Sequence, residues 1–235
     1  MTQTPVLVTL HVWGIEWDRL PGSLLRMASQ RRQVQAFPGV TFAKLLGTGS
    51  GDTFTVRDAD PHHWALLCCW DAPQAAAAFE RSRVLTRWDH AATERLRLEL
   101  KPLTSKGRWS GQEPFGEPVP ERFDGPVAAL TRARLRASKA AAFWRSVPPV
   151  SAALRQSAGL LLSLGIGEAP VGLQGTLSVW DSTRALSRFA YEDPRHQEVI
   201  NRTHEVGWYA EELFARFALT AHSGTYRGQP VQVIS

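Results

Sequence analysis

The chain has 235 residues, 43% hydrophobic and 21% charged, with 9 Trp and 10 Phe. That composition can bury a substantial core, which excludes a wholly disordered chain and a collagen-like repeat, and the length suits one large domain or two ordinary ones. The formal net charge of +5 suits an acidic ligand, an anionic membrane surface or an acidic redox partner, but the basic residues are scattered and form no known nucleic-acid motif, so no nucleic-acid partner is expected.

Taken in chain order, Val6 to Ile15 is rich in β-branched and aromatic residues and predicts a strand, followed by a helix from about Gly22 to Gln35 that stops at Phe37-Pro38-Gly39. Val40 to Leu46 predicts a short strand, and Gly47-Thr48-Gly49-Ser50-Gly51 a tight inter-strand turn, since it lacks the lysine of a P-loop and the helix start of a dinucleotide site. Trp64 to Trp70 reads as a buried strand, with Asp71 as N-cap of a helix through Ala75 to Phe79. After a helical stretch around Trp88 to Thr93, Leu96, Leu98 and Leu100 alternate with Arg95, Arg97 and Glu99, the period of a half-buried strand.

The second half repeats this β-α-β-β-α-β order: strand Val127 to Leu135, helix Ser138 to Leu154, strands Leu160 to Ile166 and Thr176 to Trp180, helices from Asp181 and a last strand near Leu213 to Leu219. Trp70-Asp71 and Phe79 correspond to Trp180-Asp181 and Phe189, and Leu46-Gly47-Thr48-Gly49 to Leu164-Gly165-Ile166-Gly167. The expected fold is α+β, with two tandem ferredoxin-like repeats packed as an α/β barrel of the dimeric α/β-barrel type. Residues 1–103 and 126–221 form the repeats, 104–125 a connecting loop carrying Gly107-Arg108-Trp109-Ser110-Gly111-Gln112, and 222–235 a mobile tail.

No run approaches the roughly 20 apolar residues of a membrane-spanning helix, and Met1 to Pro5 lacks the order of a signal peptide. Cys68 and Cys69 are adjacent and cannot staple distant segments. A cytoplasmic protein is expected, a membrane-peripheral position being compatible with its charge.

On a helix, His196 shares one face with Val199, Ile200 and Thr203. Such a histidine is either an axial ligand for haem iron or a core residue donating to a backbone carbonyl. His62 and His63 are adjacent and point apart on a strand, while His11, His90, His204 and His222 have no companions at metal-ligand spacing. The aromatics, among them Trp109, Phe143, Trp144, Trp180 and Trp208, exceed an ordinary core and could line a flat apolar cavity, with Arg108, Arg132 or Arg134 for acidic groups.

Gly107 to Gln112 with Pro114-Phe115, Gly125 to Ala133, Phe143-Trp144 with Val147-Pro148, Gly165-Ile166-Gly167-Glu168 with Pro170, and Gly207-Trp208-Tyr209 before Glu211 to Phe217 together resemble the spheroidene monooxygenase family, from about Val6 to Leu219. The resemblance implies a haem b enzyme that oxidises an apolar or amphipathic, carotenoid-like substrate with O2, taking electrons from a redox partner such as ferredoxin. It implies His196 as the iron ligand, with Arg108, Trp109, Ile200 and Arg132 at the haem or substrate. Other chemistry on the same scaffold stays open: a dehydratase-type or nitrogen-oxidising haem enzyme on a smaller metabolite, or a haem- or lipophile-binding protein without turnover. A homo-oligomer is compatible with all of these.

Overall fold

The computed structural model describes residues 4–51, 58–139, 151–168, 173–192 and 207–232. β1 (Leu7–Ile15) leads through a 3-10 turn at Trp17–Arg19 into α1 (Leu20–Ser29) and α2 (Arg31–Gln35); β2 (Val40–Gly49) and β3 (Ala59–Trp70) precede α3 (Pro73–Phe79) and α4 (Arg83–Ala91), and β4 (Ala92–Gly107) ends the first half. The second half comprises β5 (Val127–Leu135), a helix α5 whose described part is 151–156, β6 (Leu160–Gly167), β7 (Leu173–Trp180), α6 (Thr183–Glu192), β8 (Tyr209–Tyr226) and the short β9 (Gln229–Pro230). The architecture is α+β, and every ladder among the described strands is antiparallel.

The strand order is β4-β1-β3-β2-β6-β7-β5-β8-β9, and β4 also pairs with β8, so the succession of ladders returns to the strand where it began. Side-chain alternation sorts the core accordingly. One face of the eight long strands supplies a single apolar cluster that includes Leu10, Leu46, Leu67, Leu98, Leu164, Leu177 and Phe217. The opposite face in the first half packs Trp13, Leu66 and Trp70 against Phe79 of α3 and Trp88 of α4. In the second half Val127 and Trp180 pack against Ala185 and Leu186 of α6.

Matching details recur in the two halves. Gly39 and Gly159 have φ of +83° and +86°, and their carbonyls accept the N–H of Asp71 and Asp181 at 3.0 and 2.8 Å. A Cβ at either glycine would collide with Ala75 or Ala185 on the next helix, so glycine is required twice for the same strand-to-helix closure. This corrects the reading of Asp71 as a helix cap. Its N–H is drawn to Gly39, and the cap falls on Ala72, with Pro73 at the first helical position.

Three further expectations change. Gly47-Thr48-Gly49 is not a turn but the end of β2, and it forms the junction with β6 through Gly47↔Gly167, Thr48↔Ile166 and Gly49↔Gly165. A Cβ on Gly165 would stand 3.0 Å from the Gly49 carbonyl, so the glycines serve close backbone approach rather than chain reversal. The pairings Val40↔Trp70 and Leu160↔Trp180 make Gly47 the counterpart of Gly167, two residues from the correspondence expected from sequence. Finally, the supposed tail from residue 222 continues β8 to Tyr226, because Ser223 and Gly224 pair with Arg97 and Leu96 of β4. Of the helix expected over Ser138 to Leu154, residues 140–150 lie outside the described part.

Candidate functional site

The inner face is apolar until its alternation reaches four charged residues. Lys44 stands between Phe42 and Leu46 on β2, Arg132 two residues beyond Leu130 on β5, Glu168 two beyond Ile166, and Glu211 two before Leu213 on β8. Lys44 and Arg132 are only 4% and 3% exposed, so each needs a partner. The Lys44 Nζ donates to Glu168 Oε2 at 2.6 Å and to Ser110 Oγ at 2.7 Å. Arg132 donates to Glu211 and, at 3.4 Å, to Glu168. Burial pushes both carboxyl groups up, but more than compensating bonds hold them below the usual range: Lys44 and Trp109 at Glu168, and the Gly111 N–H and Arg132 at Glu211. Two cations and two carboxylates leave the cluster internally neutral.

The glycine-rich connection after β4 closes this cluster. Gly107 and Gly111 take φ of +101° and +75°, and Ser110 takes +55°, turning the chain so that Trp109 enters the inner cluster and its indole N–H donates to Glu168. The Ser110 and Gly111 N–H groups donate to Glu211 at 3.0 and 2.7 Å. A segment with linker composition is thus held against the second half by backbone donors and one buried aromatic, as a site loop would be.

The same device recurs after β8. Gly224-Thr225-Tyr226-Arg227-Gly228-Gln229 repeats the spacing of Gly107 to Gln112, with positive φ at Gly224, Arg227 and Gly228 and with the Arg227 and Gly228 N–H groups donating to Glu94 at 2.9 and 2.6 Å. Beside Tyr226, His63 lies between Asp60 at 2.8 Å and Glu94 at 3.1 Å. Burial lowers the His63 pKa, but the two carboxylates outweigh it and raise it above the ordinary 6.5. An imidazole that keeps its proton longer in the folded chain stabilises fully below the ordinary value and loses this contribution as pH rises through the raised one. The melting temperature should therefore fall as pH climbs from about 6.5, and His63→Gln should flatten that fall; an unchanged slope in the variant would remove the assignment.

Of the residues singled out by sequence, the structure brings Trp109 and Arg132 together in the polar cluster. Arg108 lies outside it, exposed and paired with Glu113 at 3.1 Å. His196 and Ile200 lie outside the described residues. His11 is buried and stacked on Trp13; burial takes it down to about 3, so it is neutral. Cys68 and Cys69 are free and buried, which pushes their thiols up and makes them small core residues. No group of three or more metal-ligating side chains occurs among the described residues. Glu168 and Glu211 stand in the quoted motifs without a role assigned to them there, and Lys44 is not among the sequence candidates, although a lysine midway between Phe42 and Leu46 and the second Gly-x-aromatic-x-Gly-Gln are visible in the sequence.

The outer face differs between the halves. On β2, β3 and β1 of the first half, Leu45, Leu66 and His11 lie side by side, then Ala43, Cys68 and Thr9. The corresponding residues of β6, β7 and β5 are Gly165, Thr176 and Thr131, then Ser163, Ser178 and Ala129, and Ala133 replaces Trp13. The row of Ala43, Cys68 and Thr9 is thus small in both halves, and the second half is the less bulky one at four places, with Gly165 for Leu45, Thr176 for Leu66, Thr131 for His11 and Ala133 for Trp13.

No family model matches the chain. It is 37% identical over 216 residues to the spheroidene monooxygenase of Rhodobacter capsulatus, covering 89% of this chain and 88% of that protein. To the spheroidene monooxygenase of Rubrivivax gelatinosus it is 36% identical over 193 residues, covering 82% and 73%. Among solved structures, an aldoxime dehydratase superposes with a TM-score of 0.61 at 11% identity, covering 91% of this chain and 80% of that one, a likeness of fold alone. The chain belongs to the spheroidene monooxygenase family and, with it, to the oxidoreductases that act as monooxygenases.

Proposed function

We propose that the protein is a haem-dependent monooxygenase that oxidises an acyclic, apolar polyene of the carotenoid kind with O2 and electrons from a redox partner such as ferredoxin. The identity to spheroidene monooxygenases over most of both chains carries the reaction and the substrate class. The sheet area of Thr131, Ala133, Gly165 and Thr176 supports a flat prosthetic group, because it lacks the bulk of His11, Trp13, Leu45 and Leu66 at the matching places of the first half. Haem, when bound, supplies the redox centre at which dioxygen is activated.

The chain's own residues divide the remaining work. His196 would hold the group, with Ile200, four residues on in the sequence, as an apolar neighbour. Arg132 and Trp109 serve from the other face: with Lys44, Glu168 and Glu211 they clamp β5, β6 and β8 from within and so hold the opposite side of those strands in place. The whole is read as two tandem ferredoxin-like repeats, 1–103 and 126–221 joined by 104–125, closing an α/β barrel.

The purified protein should show a Soret band that shifts with dithionite and carbon monoxide, and turnover of an acyclic carotenoid that stops without oxygen or reductant. His196→Ala should lose the Soret band while keeping the far-ultraviolet circular dichroism of the parent. Full haem content in that variant would reject the ligand, and undiminished anaerobic turnover would reject the reaction.

A further inference from the structure

α1 packs Leu20 and Met27 inward and presents a second apolar face outward. At about 100° per residue, Pro21, Leu24, Leu25 and Ala28 share one face, and all four are exposed, Leu24 at 58% and Leu25 at 68%. The other side of the helix carries the buried Ser23, with Leu20 and Met27 packed against the core. Just before it, Trp17 is 70% exposed, yet it is not loose: its ring stands edge-on to His62 at 4.3 Å, and His62 is bonded to the Ile15 carbonyl at 2.7 Å. A helix whose outward face is leucine, preceded by a fixed outward tryptophan, has apolar surface to cover.

The charge around this face identifies what covers it. Arg26 borders it, with its guanidinium 5.5 Å from the Trp88 ring; burial and the neighbouring charges of Arg87 and Arg19 hold it below the ordinary guanidinium value. Arg31, Arg32 and Arg87 are exposed nearby, and among the described residues none of these three or Arg26 forms an ion pair, while Arg19 has only Asp18 at 4.0 Å. Apolar side chains that project beside unneutralised arginines match the two layers of a membrane surface, acyl chains beneath anionic headgroups. A symmetric contact with a second copy would instead bring these arginines against their own kind.

We propose that Trp17 and the outward face of α1 form a docking surface for an anionic lipid bilayer, on which the protein rests without spanning it. No helix among the described residues is long and apolar enough to cross a membrane. The proposal is independent of the haem and of the substrate.

Flotation of the purified full chain with vesicles tests it. Vesicles of phosphatidylcholine mixed with phosphatidylserine should carry the protein, salt should weaken the binding, and phosphatidylcholine alone should bind at least about tenfold less. Leu24→Ser combined with Leu25→Ser should lower partitioning to the mixed vesicles at least about tenfold while leaving the urea midpoint unchanged, since both leucines are already in water. Failure of the parent to float with mixed vesicles, or equal flotation of the double variant, would overturn the proposal. So would a double variant that turns a dimer into a monomer with vesicle binding intact, which would assign the face to a second copy.

Discussion

Arg132→Ala should lower the free energy of unfolding by about 3–5 kcal/mol, the largest effect expected of a single charge in this chain. The guanidinium is 3% exposed and bonded to both Glu168 and Glu211; its removal leaves two half-buried carboxylates, Glu168 with Lys44 and Trp109 and Glu211 with the Ser110 and Gly111 N–H groups. Both carboxyl groups are held below their usual range in the folded chain, so the cluster stabilises at neutral pH and loses that contribution as pH falls through the lowered values. The deficit of the variant should accordingly shrink in acid. Joint replacement of Arg132 and Glu211 by leucine should cost less than Arg132→Ala alone, because no charge is then stranded on that side. Urea titrations of the three proteins at neutral and acid pH decide this, and a loss below about 1 kcal/mol for Arg132→Ala would mean that water reaches the cluster and screens it.

Trp109→Ala should cost a comparable ~3–5 kcal/mol, from the cavity left by a large buried side chain. The indole also supplies one of the donors to Glu168, so Trp109→Phe, which keeps most of the volume, should still cost about 1–3 kcal/mol through the loss of a hydrogen bond to a charged group. The pair separates two roles for this tryptophan. If it locks the interior, Trp109→Phe loses stability and keeps its haem content; if it borders the prosthetic group, haem content falls while the urea midpoint stays.

The strands with strict alternation were legible in the sequence: Val127 to Leu135 emerges with the bounds read from its residues, and Leu96, Leu98 and Leu100 point inward as their period requires. What failed was local chemistry overruled by distant partners. Gly47-Thr48-Gly49 looks like a turn until β6 arrives beside it, and residues 222–224 look like the start of a tail, although β4 pairs with them along an exposed stretch. The site follows the same pattern. Trp109 and Arg132 take a site role from their motifs, whereas Glu168 and Glu211, the groups that explain their burial, stand in motifs far along the chain, just after β6 and near the start of β8, and nothing local pairs them with Trp109 and Arg132. His196 and Ile200 lie outside the described residues, so their reading rests on sequence.

The unequal outer faces bear on how this chain tolerates change. A duplicated architecture gives each half the same scaffold problem, and both halves set a tryptophan against a phenylalanine between sheet and helix, Trp70 with Phe79 and Trp180 with Phe189; the first half adds Trp13 and Trp88, while the second has Ala133 at the place of Trp13 and smaller residues at the places of Leu45, Leu66 and His11. Stability is thus banked in one half and chemical freedom kept in the other. A library of variants should divide along that seam: substitutions at Trp13, Leu45 and Leu66 would mostly remove folded protein, whereas those at Thr131, Ala133 and Thr176 would more often preserve it and alter what it can hold. An ancestor with two alike halves could have specialised one of them without endangering the fold, because the other continued to carry it.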